Sequence, residues 1–160
     1  IENMNKLSNE KFNPNEVVED VINMIKKEAA KKNISIEVEK KFNGLLVGDK
    51  DKFYQVVLNL TTNSIKYSNE NGNVKIFTNK SKDKFVLMVK DDGIGIPKED
   101  LPRIFERFYI VDKSRTSKST GLGLAIVKHI VKLFNGEIFV ESEVGKGSKF
   151  TVISKNVYCE

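Results

Sequence analysis

Residues 118–129 read KSTGLGLAIVKH, and this stretch governs how the rest of the chain is interpreted. Gly121 and Gly123 open an apolar run with helical periodicity, so the unpaired N–H groups of a first helical turn are accessible there. Together with the helix dipole, these N–H groups favour an anion. The sequence contains no GxxxxGK[ST] motif, no three-glycine dinucleotide fingerprint and no protein-kinase signature. The stretch therefore predicts a phosphate-binding helix start of another kind.

The same predicted helix contains the only histidine of the chain, His129. Its neighbours at positions 126, 127, 130 and 131 are all apolar. We interpret His129 as a structural or partly exposed helix residue, and a lone histidine is not evidence of a metal site. One cysteine, Cys159, can form neither an internal disulfide nor a cysteine metal site, which fits a reducing compartment.

Composition sets broad limits on the function. The 160 residues fit one domain, and 39% hydrophobic with 31% charged residues is ordinary for a globular protein. The net charge of +5 is mild and the basic residues alternate with acids, which leaves a lysine-coated surface or an anionic ligand and disfavours nucleic acid. No apolar stretch approaches the roughly 18 residues of a membrane span. Because the chain begins with Ile1, we expect it to be a fragment. We expect this fragment to be cytoplasmic and without direct membrane contact, although its parent protein could be membrane-anchored.

The hydrophobic pattern alternates between helical and strand periodicity. Residues 1–13 are polar and aperiodic, so we expect a linker or the end of a preceding helical domain, followed by one domain over 14–160. Helices are predicted at 14–32, 51–67, 101–108 and 121–134, strands at 34–39, 45–49, 72–80, 84–91, 137–143 and 148–154, and loops at 92–100 and 109–120. This order predicts an α+β fold with helices on one face of a mostly antiparallel sheet.

The predicted helix over 51–67 has a polar stripe. Gln55, Asn59, Asn63 and Lys66 are spaced at i, i+4, i+8 and i+11, so they share one face, and the opposite face is strongly apolar. The stripe is either a solvated surface or the wall of a pocket. In a pocket, a carboxamide oxygen suits Mg²⁺, and a lysine beside it suits a phosphate.

Residues 91–97 read DDGIGIP and follow a predicted strand. Two glycines separated by one residue allow close approach of the backbone to a ligand, although Asp-Gly is also common in plain turns. A buried Asp91 at the strand end could accept a hydrogen bond from an amino group, such as the exocyclic amine of adenine.

These motifs occur in an order that resembles one family. The helix with Asn59 and Asn63 is followed by DGIGIP (92–97), FERFY (105–109), TGLGL (120–124) and VGKGSKF (144–150). The ordered set resembles the ATP-binding catalytic domain of sensor histidine kinases, within the group shared with Hsp90, type II topoisomerase and MutL ATPases. The resemblance covers roughly residues 14–154 and implies a two-layer α/β sandwich with a mixed, mostly antiparallel sheet and a flexible ATP lid.

The resemblance also implies roles for the matching positions. Mg²⁺ would bind Asn63, the phosphates would contact Asn59 and Lys66, and Tyr67 would lie on the ribose side. Asp91 would bind the adenine amino group. The adenine pocket would be shaped by Gly93, Gly95, Ile96 and Ile104. The lid would be anchored by Phe105 and Phe108. The triphosphate would be wrapped by Gly121, Leu122, Gly123 and Leu124.

Three positions bear on catalysis. The ATP-hydrolysing relatives have a glutamate where this chain has Asn59, which cannot act as a general base, so the resemblance favours phosphoryl transfer over hydrolysis. Ile110 replaces a frequent arginine and Ser119 a usual glycine of the family. Lys113 and Arg115 are the residues expected to substitute for that arginine.

The expected function is therefore to bind Mg-ATP and donate its γ-phosphoryl group to a histidine on a separate dimerisation domain. That phosphoacceptor domain is absent from this chain, so the fragment should be a monomer that does not phosphorylate itself, and a response regulator should act downstream. One alternative is a degenerate nucleotide-binding scaffold without transfer activity. Another is an ATPase or a protein-serine kinase of the same superfamily.

Overall fold

The computed structural model of the chain describes residues 7–111 and 123–159. The loop expected at 109–120 lies mostly outside these residues, as do four predicted site positions, Lys113, Arg115, Gly121 and Leu122. Within the described part, three α-helices and seven strands form: α1 Pro14–Lys31, α2 Lys50–Tyr67, α3 Gly123–Leu133, β1 Glu10–Phe12, β2 Ser35–Lys40, β3 Leu46–Gly48, β4 Asn73–Ser81, β5 Lys84–Asp91, β6 Gly136–Glu143 and β7 Gly147–Ser154.

The two long helices begin at side-chain caps. Asn13 accepts a hydrogen bond from the N–H of Asn15 at 2.9 Å, and Pro14 occupies the first turn of α1. Asp49 caps α2 by accepting from the N–H of Lys52 at 3.1 Å. These caps satisfy N–H groups that a helix leaves unpaired, so both helices start at a defined residue.

The main sheet has five strands in the order β2-β4-β5-β7-β6. Only β2 and β4 are parallel, and the other three pairs are antiparallel. The buried positions of the sheet alternate along β4, β5 and β7, and they pack with the apolar faces of the helices into one core that includes Val57, Leu60, Phe85 and Phe150. The predicted α+β sandwich with a mostly antiparallel sheet is confirmed.

Two segments differ from the sequence prediction. Glu10–Phe12, inside the segment expected to be a linker, pairs with β3 as a strand because Phe12 is buried against Phe53, with ring centroids 5.4 Å apart. The helix predicted over 101–108 is a single 3₁₀ turn, Leu101–Arg103. Phe108 has a φ of 66°, which no helix allows. The domain boundary at residue 13 stays a prediction.

No helix within residues 7–111 and 123–159 has the length and apolarity needed to cross a membrane.

Candidate functional site

A cavity of about 280 Å³ lies between α2, the start of α3, the end of β5 and the loop that follows β5. Both polar and apolar side chains form its wall. The wall residues are Asn59, Thr62, Asn63, Lys66, Tyr67, Asp91, Ile94, Gly95, Ile96, Ile104, Tyr109, Ile110, Val111, Gly123, Leu124 and Ser148.

Ten of these were selected from the sequence as nucleotide-binding positions. They come from four separate parts of the chain, and the fold brings them around one space: Asn59, Asn63, Lys66, Tyr67, Asp91, Gly95, Ile96, Ile104, Gly123 and Leu124. This proximity is what a single binding site requires. Their individual roles remain predictions.

Two other predicted positions lie away from the wall. A Cβ on Gly93 would stand 2.2 Å from the carbonyl oxygen of Tyr67, so this glycine allows the loop to touch the end of α2. Phe108 is 67% exposed and lies beside the Arg107 guanidinium. Gly93 thus lets the loop backbone pack against the end of α2, and Phe108 faces solvent.

The polar stripe of α2 forms one side of the cavity. Asn59 Nδ2 donates to the carbonyl of Gly123 at 3.4 Å, which joins α2 to the start of α3. Burial lowers the pKa of the Lys66 ammonium, and an anion near it would stabilise the charged form against this effect. Gln55, the first residue of the predicted stripe, is not part of the wall.

Asp91 also lines the cavity, and it lies buried at the end of the central strand β5. Its Oδ1 accepts hydrogen bonds from the N–H of Gly93 at 3.0 Å and of Ser148 at 3.3 Å. Burial raises the pKa of the Asp91 carboxyl, and this outweighs the opposing effect of those N–H groups and of the nearby Ser64 hydroxyl. The carboxylate is held in place by the backbone yet is poorly solvated.

Ser64 Oγ is the only buried side-chain nitrogen or oxygen among the described residues without a hydrogen-bond partner. It comes from α2 and influences the Asp91 carboxyl, although it makes no hydrogen bond of regular geometry. A buried hydroxyl without a partner is rare and usually marks the place of a ligand or an ordered water.

The neighbouring Asp92 has a different environment. Its two carboxylate oxygens accept from the backbone N–H and the side-chain amide of Asn73, at 2.9 and 3.0 Å. These hydrogen bonds hold the pKa of the Asp92 carboxyl below its usual range. Of the adjacent pair, Asp92 fixes the loop to β4, whereas Asp91 lines the cavity.

The loop after β5 is held against the β6–β7 hairpin. Gly95 has a φ of 75°, and a Cβ there would stand 2.1 Å from the carbonyl oxygen of Glu143. Ser142 Oγ accepts from the N–H of Ile96 at 2.8 Å and donates to the carbonyl of Gly147 at 2.9 Å. The backbone around positions 94–96 is therefore fixed before any ligand arrives.

Tyr109 is part of the cavity wall. Its hydroxyl donates to the Asp100 carboxylate, and the Arg103 guanidinium lies 4.5 Å from its ring centroid. Tyr109, Ile110 and Val111 all line the cavity, and none of them was predicted from the motifs as a binding residue.

Sequence reasoning also missed Thr62, Ile94 and Ser148. Thr62 adjoins Asn63 and Ile94 lies within DGIGIP, so both were close to recognised motifs. Ser148 reaches the cavity because it pairs with Asp91 across β5 and β7, and that register is not visible in the sequence.

Histidine and acidic residues do not assemble a metal site in the described part of the chain, where no group of three or more His, Cys, Asp or Glu side chains could hold a metal ion. His129 is exposed on α3 and lies outside the wall. Any metal at the cavity would depend on carboxamide oxygens and on its ligand.

Comparison with known proteins gives a consistent result. The family model described as histidine kinase-, DNA gyrase B-, and HSP90-like ATPase matches residues 48–156. The chain is 48% identical over 107 residues to sensor histidine kinase WalK of Bacillus subtilis, covering 64% of this chain and 18% of WalK. It is 36% identical over 140 residues to sensor histidine kinase YclK of the same organism, covering 86% of this chain and 29% of YclK. It thus spans less than a third of either relative.

Solved structures show the same similarity. The catalytic domain of histidine kinase ThkA superposes with a TM-score of 0.82 at 28% identity, over 93% of this chain and 96% of that domain. Full-length ShkA in complex with AMPPNP gives 0.84 at 25% identity, over 96% and 32% of the two chains. ThkA in complex with the response regulator protein TrrA gives 0.79 at 26% identity, over 97% and 44%.

Proposed function

Because the chain belongs to the histidine kinase-, DNA gyrase B- and HSP90-like ATPase family, we propose that it binds Mg-ATP as the catalytic domain of a sensor histidine kinase. It would donate the γ-phosphoryl group to a histidine on a separate phosphoacceptor domain. One observation above all supports this proposal. The buried carboxylate of Asp91 and the polar stripe of α2 line the same cavity, which suits a ligand with a base at one end and phosphates at the other.

The adenine would lie at the Asp91 end. The two backbone N–H groups that hold this carboxylate both bind Oδ1, which leaves acceptor capacity for an exocyclic amine. Ser64 Oγ, buried and without a partner among the described residues, fits a site that the base or a bridging water completes. Ile96 and Ile104 supply apolar contacts for the faces of the ring.

The phosphates and the metal would lie along α2. Asn63 offers a carboxamide oxygen to Mg²⁺, and phosphate oxygens and water would complete the coordination. Mg²⁺ bound there would neutralise charge on the phosphates. Lys66, whose ammonium is partly desolvated, and the backbone at Gly123 and Leu124 would contact the same phosphates.

The chain's own contribution to transfer would be positioning. Asn59 occupies the place of a water-activating base, yet its amide donates to the Gly123 carbonyl and cannot take a proton from water. The fixed backbone at 94–96 and the apolar wall at 109–111 would orient the nucleotide and limit access of water. Lys113 and Arg115, which the structure does not describe, stay the proposed cations near the transferred group.

The whole protein's partners are part of the same proposal. ThkA has been solved in complex with a response regulator, and we propose that a response regulator also acts downstream of this chain's parent. The phosphoacceptor domain would supply both the target histidine and dimerisation, so this fragment would be a monomer. Because the proposed substrate is ATP, the domain would act in the cytoplasm.

A second candidate is a nucleotide-binding scaffold without transfer activity. Ile110 favours it, because an apolar side chain lines the cavity where the family often has an arginine. ATP hydrolysis by the domain alone is disfavoured by Asn59.

Calorimetric titration with ADP and a non-hydrolysable ATP analogue, with and without Mg²⁺, tests the first part. We expect saturable binding that strengthens with Mg²⁺, and failure of both nucleotides to bind would overturn the proposal. Adding a helical phosphoacceptor domain from a close relative in trans then separates the two candidates. Phosphorylation of its histidine supports the kinase, whereas nucleotide binding without transfer supports the scaffold.

A further inference from the structure

The C-terminal end of α2 is held by a lysine from another helix. A helix leaves its last four carbonyl groups without partners, which in α2 are those of residues 64–67. Lys32 Nζ donates to the carbonyl oxygens of Ile65, Lys66 and Ser68 at 2.9, 3.0 and 2.8 Å. One ammonium therefore binds two of the four free carbonyls and the first carbonyl beyond the helix.

The other two carbonyls have partners from different sources. The Ser64 carbonyl accepts from Ser68 Oγ at 2.7 Å, and the Tyr67 carbonyl accepts from the N–H of Ile94 at 3.0 Å. Every carbonyl at the end of α2 is thus hydrogen-bonded. Among the described residues, Lys32 supplies the charged donor at this helix end.

Lys32 is itself fixed by its backbone. It is the C-cap residue of α1, and its N–H donates to the carbonyl of Ala29 at 3.2 Å. Its carbonyl accepts from the N–H of Asn71 at 2.9 Å, and the residue is half-buried. The side chain therefore starts from a defined position, so its ammonium loses less freedom when it binds α2.

The arrangement is electrostatically favourable. A cation near the C-terminus of a helix interacts with the negative end of the dipole. An ammonium group has three N–H donors, and here three carbonyl oxygens lie within 3.0 Å of it. The Ile65 carbonyl would keep the N–H of Ser68 at 3.3 Å, but loss of the ammonium would leave the Lys66 and Ser68 carbonyls without this donor, and the last turn of α2 would open more easily.

The C-terminal part of α2 also places Asn63, Lys66 and Tyr67 on the cavity wall. We propose that Lys32 is a positioning residue for the nucleotide site, acting through the end of α2 although it does not line the cavity. This inference rests on the proposed function, since it assigns Lys32 to the site that would bind Mg-ADP and Mg-ATP.

Hydrogen exchange on the nucleotide-free protein tests the structural half of the inference. The amides of Ser68 and Ile94 donate to the carbonyls of Ile65 and Tyr67 at 3.3 and 3.0 Å, so their exchange reports opening of this helix end. In Lys32→Met we expect the helix end to be open about nine tenths of the time, so both amides should lose nearly all their protection and exchange at close to the rate of an unstructured peptide. Lys31→Met is the matched control, because Lys31 is the adjacent residue, is exposed and pairs with Glu28 of its own helix at 3.0 Å.

Titration with Mg-ADP tests the functional half, at a temperature where circular dichroism shows each variant fully folded. We expect Lys32→Met to weaken the affinity about tenfold, because the binding-competent helix end would be populated about a tenth of the time. Lys32→Arg, which keeps the charge and the donors, should restore affinity to within about threefold, and Lys31→Met should bind as the unsubstituted chain does. If Lys32→Met does not fold, Lys32→Gln keeps two N–H donors without the charge and should show an intermediate loss.

The outcomes are distinct. A Lys32→Met variant that melts at a lower temperature but binds Mg-ADP with unchanged affinity would show that Lys32 only stabilises the fold, and the inference would be wrong. Unchanged exchange at Ser68 and Ile94 would overturn it equally. If the unsubstituted chain does not bind Mg-ADP, the proposed function fails and the positioning role with it, whereas the exchange data still show whether Lys32 holds the end of α2.

Discussion

The side-chain amide of Asn59 on α2 donates to the carbonyl oxygen of Gly123, 3.4 Å away at the start of α3. This bond connects the polar stripe of α2 to the helix whose first turn is expected to bind phosphates. A glutamate at position 59 would place two acceptor atoms against each other, so the carboxamide suits this neighbour better. The contact favours a role for Asn59 in positioning over a role in activating water.

Hydrolysis by the domain alone is the first testable consequence. Because Asn59 has no basic group, we expect the chain with Mg-ATP to release phosphate no faster than a protein-free control, and Asn59→Ala to leave that rate unchanged. A coupled phosphate-release assay measures both. Clear turnover that disappears in Asn59→Ala would instead place the chain among the hydrolysing members of the family.

Asn63→Ala should remove the metal-dependent part of nucleotide affinity. Without the carboxamide oxygen, we expect the dissociation constants of ADP with and without Mg²⁺ to differ by less than about twofold. The side chain is only half-buried, so the melting temperature should stay within about 2 °C. Asn23→Ala, an exposed asparagine on α1, is the control for losing a helical carboxamide. An Asn63→Ala variant with full Mg²⁺ enhancement would contradict the assignment.

Asp91→Asn should weaken adenine binding. One acceptor oxygen becomes an NH₂ donor that faces the exocyclic amine, and we expect about a tenfold to hundredfold loss of ADP affinity, as for a hydrogen bond to a charged group. Titration with ADP measures the loss. Affinity equal to that of the unsubstituted chain would show that Asp91 does not contact the base.

The pH dependence of stability should differ for the two adjacent aspartates. Burial raises the pKa of Asp91 in the folded state, so protonation favours folding. Stability should fall as pH rises from the usual aspartate range through that raised pKa, and Asp91→Asn should abolish this loss. The pKa of Asp92 is lowered by Asn73, so its contribution should be lost as pH falls. Melting curves of both asparagine variants between pH 3 and 8, about the range in which carboxyls titrate, would reveal opposite trends.

Gly93→Ala should destabilise the fold at the contact between the loop and the end of α2. Its Cβ would stand 2.2 Å from the Tyr67 carbonyl oxygen and 2.9 Å from the Ser68 Cα, both backbone atoms that cannot move aside cheaply. We expect a loss of about 2–3 kcal/mol in the free energy of unfolding, measured by urea denaturation. Gly123→Ala has no described atom within 4 Å of the added carbon and should be neutral or slightly stabilising. Equal stability of the two variants would contradict the packing.

Much of the fold could be predicted from periodicity. The apolar faces of α1 and α2 and the alternation along β4, β5 and β7 each depend on local sequence, so their bounds were close to those observed. Glu10–Phe12 was missed because a single apolar residue in a polar segment has no period, and its strand depends on a long-range contact with Phe53. The helix expected over 101–108 is reduced to the turn Leu101–Arg103, and Phe108 at its expected end takes a positive φ.

The site residues also divide into those that local sequence indicates and those that only long-range contacts bring to the site. Residues within motifs, such as Asn63 and Asp91, could be selected because their chemistry is local to a helix face or a strand end. Ser148 could not, since it reaches the cavity only through its pairing with Asp91. Nor could Lys32, whose ammonium contacts residues more than thirty positions away.

The place of β5 in the sheet has a consequence for how the cavity would come apart. β5 is hydrogen-bonded along both edges, to β4 and β7, so Asp91 can leave its position only when the sheet itself unfolds. The last turn of α2 is held mainly by side chains and can open locally. Under mild denaturing conditions the phosphate half of the cavity should therefore be lost first. The chain should then still bind adenosine, but its affinity for ADP should fall to its affinity for adenosine.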